Sequence, residues 1–130
     1  MIVVDSSVLI SHFSNVLHPE VTRLRQFEEV ETILIGDVVV LEVLKGLRSD
    51  SVVRFVEARL AAFNQASMLD GEMARHAAAN YRKLHALGIT IRSSIGLVIG
   101  TYCAVHGHSL LHRDRDFDHF EQHLGLKVLH

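Results

Sequence analysis

MIVVDSSVLI, residues 1–10, opens with an uncharged apolar run, Ile2-Val3-Val4, and breaks it at Asp5-Ser6-Ser7. A short run of β-branched residues bounded by capping residues reads as a buried parallel strand that feeds a helix. Asp5 or a following serine caps that helix. The same alternation recurs along the chain. Pro19 fits the first turn of a second helix, with Val21, Leu24 and Phe27 on one face. Residues 32–35 read as a strand broken by Gly36, with Asp37 capping a helix that runs to about Gly46. A further helix starts at Asp50 or Ser51 and turns Val52, Phe55, Val56 and Leu60 inward.

The pattern continues to the end. Residues 65–69 read as a short strand. Asp70 caps an alanine-rich helix over 71–87, stopped by Gly88. Ser93 or Ser94 caps a helix from Ile95 to about His106, ended by Gly107. Residues 109–111 form a strand, 117–123 a short helix and 127–129 a last strand. Strands that alternate with helices argue an α/β fold, helices packed around a mainly parallel sheet. The 130 residues, 48% hydrophobic, suit one domain over 1–130.

Composition narrows the function. No apolar run of about 18 residues lacks a charge, so no membrane span is expected. The start lacks a basic segment, so no secretory signal is expected either. A lone cysteine, Cys103, forms no internal disulfide and suits a reducing cytoplasm. It reads as a small buried hydrophobe. Net charge is −2 with histidines neutral, the wrong overall sign for a general nucleic-acid binder. Nucleic-acid chemistry here needs a local basic patch or a cation in an acidic pocket. His106, His108, His112, His119 and His123 match no structural zinc spacing and read as surface residues.

The acids are more informative. Parallel sheets place functional residues at the carboxyl ends of their strands. Asp5 follows the first strand, and Asp114 follows the one ending at Leu111. Glu42 sits in a helix between apolar Leu41 and Val43, an expensive place for a charge unless paired, exposed or metal-bound. Convergence of Asp5, Glu42 and Asp114 on Mg²⁺ or Mn²⁺ accounts for all three placements. Helix capping by Asp5 and simple exposure of Glu42 account for two of them separately.

The segments IVVDSSVLI (2–10), GDVVVLEVLKGLRSD (36–50), TIRSSIG (90–96) followed by LVIGTYCAVHG (97–107), and LLHRDRDFDHFEQHLGLKVL (110–129) resemble, in order, a PIN domain. The likeness is closest to the VapC-type toxin ribonucleases of bacterial toxin–antitoxin pairs. It implies a three-layer sandwich and RNA cleavage by metal-assisted hydrolysis with Mg²⁺ or Mn²⁺. It also implies a small antitoxin lying over the acidic pocket and a toxin homodimer. Four acids cluster in such toxins. The first falls on Asp5, the second on Glu42 and the fourth on Asp114. The third belongs after Arg, Ser or Lys, any residue and Ile. That stretch here runs Arg92-Ser93-Ser94-Ile95-Gly96, with glycine in the place of the acid.

The resemblance therefore implies an impaired nuclease or, alternatively, a non-catalytic pseudo-nuclease that binds an antitoxin and acts in regulation. Gly96 also reads as a close-packing glycine sharing a small-residue face with Gly100. Asp116 reads equally as a cap of the last helix or as a metal-side acid. Ser7 orients Asp5 or caps the first helix. Arg92 contacts phosphate or is simply solvated. An aspartyl-phosphate enzyme fits poorly, because no second aspartate stands two residues after Asp5.

Overall fold

In the computed structural model, which describes residues 1–27 and 29–130, five strands form one parallel sheet. They are β1 (Ile2–Val4), β2 (Ile33–Gly36), β3 (Asn64–Ala66), β4 (Ser109–Leu111) and β5 (Lys127–Val128). The helices are α1 (Ser6–Phe13), α2 (Pro19–Arg25), α3 (Asp37–Lys45), α4 (Asp50–Leu60), α5 (Gly71–Ala86), α6 (Ser94–His106) and α7 (Asp116–Leu124). A 3₁₀ turn at Val30–Thr32 precedes β2.

The sheet order is β3-β2-β1-β4-β5. Ile2 pairs with Ile33 on one side and Ser109 on the other. Val3 and Val4 are adjacent, so their side chains point to opposite faces, yet both are fully buried. Both faces of β1 are therefore covered, the reason its sequence is apolar without alternation. Burying those two side chains stabilises the fold by about 3–6 kcal/mol before entropy is counted. The chain steps from β1 towards β2 and β3, then crosses to β4 and β5 on the other side. The order reverses between β1 and β4, and a crevice opens outside the carboxyl ends of strands at such a point.

Several helix ends differ from expectation by one residue. Gly36 occupies the cap of α3, and Asp37 is its first helical residue. The Asp37 carboxylate accepts from the N–H of Val38 at 2.8 Å and of Met68 at 3.0 Å, tying α3 to the stretch after β3. Ser49 likewise caps α4. The third strand is shorter than expected, since an edge strand pairs on one side only. Val52 and Phe55 do not turn inward. They are 44% and 56% exposed, while Val56 and Leu60 carry the buried stripe of α4. Phe27 lies past the end of α2 and is half-buried.

The two glycines of α6 differ in kind. A Cβ on Gly100 would lie 2.6 Å from Phe120 Cδ1, and Phe120 is fully buried. A Cβ on Gly96 would lie no closer than 3.5 Å to anything beyond its own helix backbone and neighbours. Close packing thus explains Gly100 and not Gly96. Gly100→Ala is expected to cost about 1–3 kcal/mol through overpacking. Gly96→Ala should be neutral or stabilising by up to about 1 kcal/mol through helix propensity. Urea unfolding of both variants checks the contrast. Equal destabilisation by the two would contradict it.

Candidate active site

Asp5 stands at the carboxyl end of β1, its N–H donating to Leu111 O at 3.0 Å and so extending the ladder with β4. Its side chain caps α1, accepting the Ser7 N–H at 3.1 Å. The Ser7 hydroxyl also donates to Asp5 Oδ2. That same hydroxyl oxygen accepts the N–H of Arg113 at 3.1 Å, which pins the loop after β4 against the turn after β1. The neighbouring Ser6 hydroxyl donates to Glu42 Oε1 at 2.7 Å, reaching across to α3. Two consecutive hydroxyls thus hold one carboxylate each and anchor three segments to one turn. Sequence reading singled out Ser7. Ser6 was missed, although its place beside Asp5 was the available signal.

Asp5 is 4% exposed. Burial is the main force pushing its carboxyl above the ordinary value, and the two Ser7 bonds oppose it. The negative charges of Glu42 and Asp114 push it further up. Both acids therefore lie within electrostatic reach of Asp5. Glu42 and Asp114 are themselves half-buried. Among the described residues, no three His, Cys, Asp or Glu side chains stand close enough together to hold a metal ion as placed.

Asp114 is locked into the loop between β4 and α7. Its Oδ1 accepts the Asp116 N–H at 2.9 Å, and its backbone carbonyl accepts the Phe117 N–H at 3.1 Å. Asp114 therefore satisfies the start of α7, the job expected of Asp116. The Asp116 carboxylate instead accepts the Arg92 N–H at 3.3 Å and so ties the loop before α6 to α7. The Arg92 side chain is exposed on the same rim. Next to it, Ser93 caps α6, its hydroxyl accepting the Gly96 N–H at 3.0 Å. A Cβ at position 96 would meet Ser93 and Phe117 at 3.5–3.8 Å, an ordinary contact distance.

An open cleft of about 830 Å³ lies over this ground, walled by Arg92, Ser93, Arg113, Asp114, Arg115 and Asp116 among others. Its wall mixes carboxylates with three guanidinium groups. A smaller cleft of about 230 Å³ adjoins it, shared by Glu20, His112 and Asp114. Glu20 approaches Arg113 Nε at 3.3 Å, close enough for charge attraction though not aligned for a hydrogen bond. His112 departs from the expectation of a surface histidine. It is half-buried, and burial holds its imidazole below the ordinary value against the pull of Asp118, Asp114 and Glu121. Cys103 is buried as expected, its thiol pushed up to about 12 by burial, so it is inert at neutral pH.

A PIN domain family model matches residues 2–122. The VapC ribonuclease Mb1587 of Mycobacterium bovis and ribonuclease VapC11 of Mycobacterium tuberculosis are each 30% identical to this chain over 121 residues, covering 91% of it and 90% of the relative. Among solved structures, VapBC2 from Rickettsia felis bound to a promoter DNA fragment superposes with a TM-score of 0.79 at 13% identity, over 99% of this chain and 98% of that one. VapBC-1 from nontypeable Haemophilus influenzae gives a TM-score of 0.74 at 16% identity, over 99% and 97%. These low identities bear on the fold. The five-stranded parallel sheet with its flanking helices is the one those structures share.

The buried Asp5 carboxylate yields a prediction. With its pKa raised in the folded state, folding binds that proton more tightly than the unfolded chain does. Stability from this group therefore falls as pH rises from the ordinary carboxylate value to the raised one, and the cost is fully present above it. Asp5→Asn keeps a good cap and an acceptor for Ser7 while removing the charge. With EDTA present, the variant should melt a few degrees higher than the parent at pH 7, and the gap should close as pH falls towards 4. A variant that melts lower at pH 7 would show that the charge stabilises the fold.

Proposed function

From the premise that this chain belongs to the PIN-domain family, and within it to the VapC ribonucleases, we propose a toxin with an endoribonuclease site weakened at Gly96. The observation that carries the weakening is the open space at position 96. A Cβ there would make only ordinary contacts, so packing does not demand glycine. Asp5, Glu42 and Asp114 are the acids that remain, with Asp116 beside them.

The chemistry of this donor set suits a hard divalent cation, although the side chains as placed would have to draw together to share one. All the donors are carboxylate oxygens, and Asp5 lies buried with two like charges in reach, a field that a cation relieves. Mg²⁺ or Mn²⁺ would be held by Asp5, Glu42 and Asp114. When bound, such an ion lowers the pKa of an attacking water and offsets charge on a phosphate. The protein's part is positional. Ser6 orients Glu42, Ser7 orients Asp5, and the Asp116 N–H orients Asp114. Arg92, Arg113 and Arg115 line the open cleft and supply the local positive charge that RNA needs against a net charge of −2.

The same observation favours a second reading, a pseudo-nuclease retained to bind its antitoxin. Both readings take an antitoxin as partner, since the solved neighbours are VapBC complexes. A groove lined by Ile10, Phe13, Val43, Leu47, Val52 and Phe55 supplies an apolar docking surface near the acidic pocket. Its exposed Val52 and Phe55 are unusual on a helix face that could have buried them. A toxin homodimer also belongs to the proposal, and α3 offers it little apolar surface. Val39 and Val43 are buried in the chain's own core, and Leu41, 56% exposed, is the surplus apolar residue. Among the described residues no helix is long and apolar enough to cross a membrane, in keeping with action in the cytoplasm.

The parent chain should cleave RNA slowly in Mg²⁺ or Mn²⁺. Gly96→Asp should raise cleavage at least tenfold, which corresponds to about 1.4 kcal/mol of transition-state stabilisation. It should also tighten Mn²⁺ binding. Without metal the new acid adds repulsion that disfavours its charged form. Its cost to stability is present above its raised pKa and gone below the ordinary carboxylate value. A gain of up to about 0.5 kcal/mol in helix propensity opposes that cost. Cleavage assays, Mn²⁺ titration and melts with EDTA decide the matter. If Gly96→Asp neither binds Mn²⁺ more tightly nor cleaves RNA, position 96 is not a lost ligand and the catalytic reading fails.

Docking through the apolar groove has its own test. Phe55→Asp should weaken co-purification with the antitoxin at least tenfold while leaving the melting temperature within a few degrees, because Phe55 is largely exposed. Undiminished co-purification would place the antitoxin elsewhere.

A further inference from the structure

We propose that His112 is a positioning residue for Asp114, a role that rests on the reading of Asp114 as a metal-holding acid. The imidazole accepts the Asp114 backbone N–H through Nδ1 at 3.1 Å. A ring nitrogen that accepts carries no hydrogen, so the neutral ring bears its hydrogen on Nε2. Nε2 is buried and has no hydrogen-bond partner among the described residues, and the same is true of Glu20 Oε2. His112 and Glu20 line the same cleft of about 230 Å³, together with Asp114. An N–H donor and a carboxylate acceptor in one small polar cleft are complementary in kind, though the Glu20 oxygen also lies 3.3 Å from Arg113 Nε.

The ring is also held by packing. It tilts against Phe117 at 4.9 Å between centroids, and Phe117 is buried. Its two nitrogens therefore do separate jobs. Nε2–H faces the small cleft that Glu20 also lines. Nδ1, freed to accept, holds the backbone of Asp114 two residues on. Asp114 then presents Oδ1 to the Asp116 N–H at 2.9 Å, and Asp116 holds the Arg92 N–H at 3.3 Å. The line of contacts runs from His112 to the acid and on to the rim of the cleft. Partners of this kind set the orientation of a metal ligand, and losing one typically weakens metal affinity 10–100-fold.

Two conservative substitutions separate the nitrogens. His112→Asn places an acceptor where Nδ1 stood, and His112→Gln places its amide where Nε2 stood. Both remove the ring from Phe117, so they share any packing cost. The measurements are the ring tautomer by NMR in the unaltered chain, hydrogen exchange of the Asp114 amide, and Mn²⁺ affinity with Gly96→Asp also present. The expected results are hydrogen on Nε2, a protected Asp114 amide in the parent and in His112→Asn, and loss of protection in His112→Gln. Mn²⁺ should bind His112→Asn within about threefold of the parent and His112→Gln about tenfold more weakly. Hydrogen on Nδ1 in the unaltered chain, or equal Asp114 exchange in the two variants, would overturn the proposal. If neither variant folds, the tautomer of the unaltered chain decides. Failure of the Gly96→Asp parent to bind Mn²⁺ would instead sink the metal reading, leaving the tautomer and exchange to judge His112.

Discussion

The Asp5 carboxylate is held out of water at the end of the central strand, and most of the site is arranged around that fact. A buried charge is costly unless something satisfies it. Here Ser7 supplies two donors, and the backbone of Asp5 joins β1 to Leu111 of β4. The Ser7 hydroxyl then accepts from Arg113, so the loop carrying Asp114 is fixed by the same group that satisfies Asp5. Ser6 does the equivalent for Glu42 on α3. Segments far apart in the chain meet at one turn because each has a hydrogen-bonding debt there.

The location follows from topology. The strand order switches sides between β1 and β4 while all strands stay parallel, so the loops leaving those strands diverge and leave a crevice. The start of α6 closes one side of it through the Asp116 contact to Arg92. Position 96 sits in the first turn of that helix, where Ser93 already accepts its N–H. An acid at that place would lie near the favourable end of the helix dipole. Helix physics alone would welcome a carboxylate there, as would the space around it. Packing therefore does not require glycine at 96, unlike Gly100, whose missing side chain makes room for Phe120.

Much of the fold was legible along the chain because its signals are local. Apolar triplets buried on both faces, Asp70 and Ser93 at helix starts, and the left-handed Gly107 at a helix end are all decided within a few residues. The readings that failed depend on what lies across space. Val52 and Phe55 have the spacing of a buried face, yet they stay largely exposed along a groove. Of the two roles read for Asp116, the cap is displaced because Asp116 is itself the first residue of α7 and Asp114 accepts its N–H. His112 looks like one of several surface histidines, but its ring is turned in against Phe117.

By itself the sequence determined the alternation of strands and helices, the residues of the core and the acids worth watching, since periodicity and capping act over a turn or two. The resemblance carried by its motifs is what points to Asp5, Glu42 and Asp114 as one set and to position 96 as the place of a further acid. Only the tertiary structure decided which groups hold them: Ser6 on Glu42, Ser7 on both Asp5 and Arg113, and His112 on Asp114. It alone told the open space at Gly96 from the filled space at Gly100. The physical reason is range. Hydrogen bonds and packing contacts reach only a few ångströms, and which atoms come that close across a hundred residues is fixed by the folded sheet, not by neighbours in the chain.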